Sequence, residues 1–185
     1  MKSLQLDKPH AVIVIGVQGS GKTFFAEKFA ETFNAPYLEQ SMFRHFTDNH
    51  KSGDELMNKV LSEMVKTARS IILELALSSR NERIELVRSL KRSGYVPLFV
   101  WVQIDTPTAM NRTFRSQGIS EDQYMQNLKK FTPVHPSEGA LVISGKHTFA
   151  TQAKAVLKKL SSPRQLQQPT TTERKPTARG QIIIR

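Results

Sequence analysis

Eight consecutive residues, Gly16-Val17-Gln18-Gly19-Ser20-Gly21-Lys22-Thr23, combine three glycines, one lysine and two hydroxyls. They fit the pattern G-x-x-x-x-G-K-[ST] at every fixed position. Gly16, Gly19 and Gly21 permit positive φ, so the backbone can curl around a small ligand. Successive N–H groups in such a curl point inward and form an anion nest. A helix opening at Lys22 adds the positive end of its dipole. The Lys22 ammonium then bridges β- and γ-phosphates, and the Thr23 hydroxyl ligates Mg²⁺. Gly16 to Thr23 are therefore expected to bind the phosphates of ATP, or of a closely related nucleotide, together with Mg²⁺.

This chemistry needs a strand before the loop and a helix after it, and the sequence supplies both. Ala11–Ile15, Ser70–Leu75 and Val96–Ile104 are apolar, β-branched or aromatic runs that read as buried parallel strands. Pro36–Leu38 and Ala140–Ser144 are weaker strand candidates. Thr23–Phe33 carries Phe25, Phe29, Ala30 and Phe33 at helical spacing. Asp54–Ala68 repeats the pattern with Leu56, Val60, Leu61, Met64 and Val65. Ser79–Ser93 pairs an N-cap serine with Glu82 and stops at Gly94. Thr108–Ser116 follows the start signal Asp105-Thr106-Pro107, and Glu121–Phe131 and Phe149–Leu160 complete the helices. Alternating strands and helices predict an α/β fold with a parallel sheet covered on both faces.

The 185 residues suit one such domain, expected over residues 1–160. Residues 161–185 are Ser/Pro/Gln/Thr-rich with scattered Arg and Lys, and read as a basic, flexible tail ending in the apolar Ile182–Ile184. No cysteine is present, which excludes disulfides and thiolate metal sites. The first apolar run is too short for a membrane span. A soluble, cytoplasmic protein is expected. The formal net charge of +11 favours polyanionic partners, nucleic acid among them. His45, Asp48 and His50 have no helical metal-ligand spacing, and Arg44–Asn58 reads as a polar acceptor loop.

Four segments in order resemble the small P-loop kinases of the polynucleotide-kinase-like group, relatives of adenylate, gluconate and shikimate kinases with an AAA-type ATP-binding core. They are the loop Gly16–Thr23, the strand Ile71–Glu74 ending in a carboxylate, Val100–Pro107 with Arg112 and Arg115 beyond it, and Asn127–Phe131 followed by Pro133, Pro136, Ser137-Glu138-Gly139 and Ala140–Ser144. The resemblance spans roughly residues 8 to 160. It implies a P-loop NTPase fold, a three-layer α/β/α sandwich whose five parallel strands run in the order 2-3-1-4-5. It also implies transfer of the γ-phosphoryl of ATP to a hydroxyl or phosphate, with Lys22, Arg112 and Arg115 stabilising the transferring charge and a lid around Asn111–Gln126 closing over the nucleotide. The other reading of the two arginines is a solvated basic face.

Glu74 stands where a strand end meets ligands in open α/β sheets, and is expected to join Thr23 at Mg²⁺. On the acceptor side, kinases of this group place an aspartate just after the second strand as general base. Tyr37-Leu38-Glu39-Gln40-Ser41-Met42-Phe43-Arg44 contains none. Glu39 is the nearest carboxylate and takes that role if the register differs by two residues. Arg44 and Arg80 are candidates to bind the acceptor, a small molecule, a nucleotide or a nucleic-acid end. Without a base, the chain is instead a non-catalytic ATP-binding switch or adaptor.

Overall fold

Strand β1 (His10–Ile15) is buried on both faces from Ala11 onward, as the middle strand of a parallel sheet must be. In the computed structural model, which describes residue 4 and residues 6–162, it pairs with β3 (Ile71–Glu74) on one side and β4 (Val96–Gln103) on the other. The outer strands are β2 (Tyr37–Glu39), beside β3, and β5 (Leu141–Ser144), beside β4. All pairings are parallel and the order is β2-β3-β1-β4-β5, as the resemblance implies. Every strand therefore ends at the same edge, and all the loops that can meet a ligand gather there.

Two apolar layers hold helices to the sheet. On one face α1 (Lys22–Phe33) and α7 (Phe149–Ser161) cover Val12, Val14, Val100 and Val102. Phe25, Phe29 and Phe33 recur one helical turn apart in α1, and their neighbouring rings lie 5.3 and 4.7 Å apart. On the other face α3 (His50–Lys66) and α4 (Arg80–Arg92) pack over Ala11, Ile13, Ile15 and Phe99. Each fully buried Phe or Ile in these layers contributes about 1.5–3 kcal/mol relative to exposure. Helices α5 (Thr106–Gln117) and α6 (Glu121–Lys130) pack on each other above the strand ends, followed by a 3₁₀ turn at Pro136–Glu138.

The expected acceptor loop over Arg44–Asn58 is mostly helical. A short helix, α2 (Gln40–His45), follows β2 directly, and α3 begins at His50, four residues before the expected Asp54. Asn49 caps α3 by accepting from the Ser52 N–H, and Gly53 is buried where the two helices touch. A Cβ on Gly53 would stand 2.8 Å from the Arg44 Cα, so only glycine lets the helices approach this closely. Neither contact has an apolar period in the sequence. Trp101, in the strand Val96–Ile104 that reads as buried, is only half-buried, with its ring 6.3 Å from that of Phe131. The tail at 163–185 lies outside the described residues.

Candidate active site

The loop between β1 and α1 has the conformation that its glycines permit. Gly19 and Gly21 take φ of +73° and +93°, in the left-handed region that side chains resist. Gly19 has a second reason to lack a side chain. A Cβ there would lie 2.6 Å from Thr113 Oγ1 and closer still to the Ala109 carbonyl, so α5 rests directly on the loop. No side chain caps α1, which leaves its first-turn N–H groups available to an anion.

Lys22 and Thr23 turn toward one carboxylate. Thr23 Oγ1 donates to Glu74 Oε1 at 2.8 Å, and Lys22 Nζ lies 3.6 Å from the same oxygen. Tyr37 donates to the other oxygen, Oε2, at 2.8 Å. Burial, then the adjoining Glu74 charge, pushes the Tyr37 hydroxyl above its ordinary pKa, so it remains a donor. The register explains this meeting of distant residues. Val14 pairs with Glu74, so the strand that leads into the loop ends beside the carboxylate. Thr23 and Glu74 are hard oxygen donors of the kind Mg²⁺ takes alongside phosphate oxygens. Among the described residues no group of three or more His, Asp or Glu is gathered to hold a metal without such help.

A cleft of about 700 Å³ opens from this point and reaches Glu39, Arg44, His50, Tyr124 and Phe131. Glu39 is the residue before α2 and accepts from the Ser41 hydroxyl. Arg44 also lines the cleft, but its Nε and Nη2 are engaged by Asp54 at 2.7 Å each, and Gln40 Nε2 donates to the same carboxylate. The Arg44 guanidinium holds the Asp54 carboxyl below its usual range. Met42, at one of the positions where an aspartate was sought, is solvent-exposed.

Helix α6 roofs the cleft with Tyr124, Asn127 and Leu128, a stripe at helical spacing, and Phe131, the residue that ends it, continues the roof. The Gln18 amide joins the loop to both roof helices. Its oxygen accepts from Asn127 Nδ2 at 3.2 Å, and its nitrogen donates to Gln117 Oε1 at 3.4 Å. Arg112 stands on the other flank of the loop, near Gly21, and donates to the Gly145 carbonyl at 3.1 Å. Arg115 is exposed in the last turn of α5.

Arg80 does not reach the cleft; its Nη2 donates to Ser137 Oγ at 3.1 Å. Its neighbour Arg83, which the sequence reading missed, is 0% exposed. Arg83 grips both oxygens of Glu138, at 2.7 and 3.0 Å, and donates to the carbonyls of Leu77, Thr132 and Pro133. It thereby ties α4 to the segment that follows α6. One signal was present: Arg83 falls in the stripe of Leu86, Val87 and Leu90, where a charge is anomalous.

A family model described as "AAA domain" matches residues 12–134. No curated protein matches the chain. Among solved structures, a gluconokinase from Sinorhizobium meliloti 1021 superposes with a TM-score of 0.61 at 17% identity, over 82% of this chain and 91% of that one. The Mycobacterium tuberculosis APS kinase CysC, solved with AMPPNP and APS, gives 0.65 at 15% identity, over 84% and 99%. Chaetomium thermophilum Kti12, solved with ADP-AlF3, gives 0.63 at 13% identity, over 81% and 96%. At these identities the likeness is one of fold, and the fold is that of the P-loop kinases.

Proposed function

The chain belongs to the AAA domain family, and on that premise we propose that it is an ATP-dependent phosphotransferase. The observation that carries this reading is the meeting of Lys22 and Thr23 on Glu74 at the mouth of a cleft that holds a second carboxylate, Glu39. The amides of Gly16 to Thr23 hold the β- and γ-phosphates, and the Lys22 ammonium draws charge from both. Thr23 and Glu74 would hold Mg²⁺, which would supply neutralisation of phosphate charge. Arg112 adds positive charge on the outer flank of the loop, and Arg115, one turn on along α5, adds to it when the lid closes.

Glu39 takes the proton of the acceptor hydroxyl, with Ser41 fixing its carboxylate. Arg44 presents the guanidinium edge left by Asp54 to the acceptor, and Arg80 has no part in the site. The acceptor is a hydroxyl or phosphate on a small molecule, a nucleotide or a polynucleotide end, and the net charge of +11 suits an anionic one. The S. meliloti gluconokinase and the M. tuberculosis APS kinase lend weight to transfer. Among the described residues no helix is long and apolar enough to cross a membrane; with the absence of cysteine, we assign the protein to the cytoplasm.

A second reading, an ATP-binding switch or adaptor without transfer, is favoured by the lack of aspartate in residues 37–44. Incubation with Mg·ATP and a panel of sugars, nucleosides, nucleotides and 5′-hydroxyl oligonucleotides separates the two. Acceptor-dependent ADP, abolished by Lys22→Ala, is the expected result. ATP binding with no acceptor-dependent ADP refutes transfer in favour of the adaptor.

A further inference from the structure

Glu74 is 6% exposed at the end of β3, and an ionised carboxylate can only accept, so each of its buried oxygens needs a donor. Oε1 has two, the Thr23 hydroxyl at 2.8 Å and the Lys22 ammonium at 3.6 Å. The phosphate-loop reading gives both of them other work when a nucleotide is bound, since Lys22 faces the phosphates and Thr23 the metal. Among the described residues Oε2 has one side-chain donor, the Tyr37 hydroxyl at 2.8 Å, and that reading does not use it. Tyr37 is thus the donor that remains with Glu74 throughout.

Tyr37 is anchored apart from the loop. It pairs with Ile72 where β2 lies on β3, and its ring packs against the core beneath α1. From there its hydroxyl reaches diagonally to Glu74, two residues further along β3. Glu39 stands directly beside Glu74 in the same register, and two neighbouring carboxylates repel. The Tyr37 bond opposes that repulsion and keeps Glu74 from turning.

We propose that Tyr37 is the positioning residue of the metal site, holding Glu74 by Oε2 so that Oε1 stays turned toward Lys22 and Thr23. The proposal rests on the reading of Thr23 and Glu74 as the Mg²⁺ ligands and adds what orients the carboxylate. Groups that orient a metal ligand in this way typically change metal affinity by about 10–100-fold when removed. One strand, β2, then carries both the acceptor-side carboxylate and the group that sets the metal-side one.

Calorimetric titration of ATP in Mg²⁺ and in EDTA separates the metal's share of binding from that of the loop. Tyr37→Phe keeps the ring and its packing and removes only the hydroxyl. It should weaken Mg·ATP by about tenfold or more and leave metal-free ATP within about twofold of wild type. Retained metal-free binding also shows that the variant is folded. In a Glu74→Gln background, which already lacks the charged ligand, Tyr37→Phe should change neither affinity further. Unchanged Mg·ATP affinity in Tyr37→Phe overturns the assignment. Equal weakening with and without metal, or a further loss in the Glu74→Gln background, overturns it too, because either marks Tyr37 as a support for β2 alone. Wild type that gains nothing from Mg²⁺ refutes the metal role of Thr23 and Glu74, and wild type that binds ATP under neither condition refutes the phosphate loop; the role of Tyr37 falls with each.

Discussion

Replacing Glu138 by Gln should destabilise the protein by about 3–5 kcal/mol, because it strands the Arg83 guanidinium in a site from which water is excluded. The three carbonyl contacts from Leu77, Thr132 and Pro133 remain, but carbonyl dipoles do not replace a full negative charge at 2.7 and 3.0 Å. For a domain stable by about 5–15 kcal/mol this is a large fraction. At about 2–4 °C per kcal/mol for a chain of this size, the melting temperature should fall by about 6–20 °C. Urea titration followed by far-ultraviolet circular dichroism measures the loss. The pH dependence gives a second reading. Arg83 holds the Glu138 carboxyl below its ordinary 4.5. The stabilisation is therefore complete above that value and disappears as pH falls through the lower folded one. Wild type and Glu138→Gln should differ at neutral pH and converge in acid. Arg83→Met combined with Glu138→Leu should recover most of the loss, since an apolar pair leaves no charge unpaired. A cost under about 1 kcal/mol for Glu138→Gln at neutral pH would refute the reasoning, because it lies far below that of a broken buried pair.

Glu39→Gln should lower acceptor-dependent turnover by about 10²–10⁴-fold while ATP affinity stays within a few-fold, as measured by coupled ADP release and by titration; unchanged turnover removes Glu39 as the base. Gly53→Ala should cost about 1–3 kcal/mol by forcing α3 from the Arg44 backbone. It should also raise the KM for the acceptor, because Arg44 and Asp54 move with it. A stability within about 0.5 kcal/mol of wild type would show that the two helices separate freely.

The strands were legible because a strand buried on both faces is written as an unbroken apolar run, as in Ala11–Ile15. The phosphate loop was legible because its chemistry lies within eight consecutive residues. The contact of Thr23 with Glu74 was half legible: the strand end suggested the carboxylate, but the register that places it is tertiary. The wall of the cleft was not legible. Helix α2 and the first turn of α3 depend on Asn49, Gly53 and the Arg44–Asp54 pair, none of which gives an apolar period. Arg83 was missed for the opposite reason, since its surroundings are apolar and its partner lies 55 positions away.

The double use of the Gln18 amide is one of the ties that decide how readily the roof lifts. Its two hydrogen bonds are long and lie at the surface, and together contribute about 1–3 kcal/mol. Alone, a latch of that strength would be open in about one molecule in ten to one in a hundred at any instant. The buried Tyr124, packed on Phe114, and the Arg83–Glu138 tie behind α6 act in the same direction, so the roof lifts more rarely than that and an incoming molecule has to displace packing as well as two hydrogen bonds.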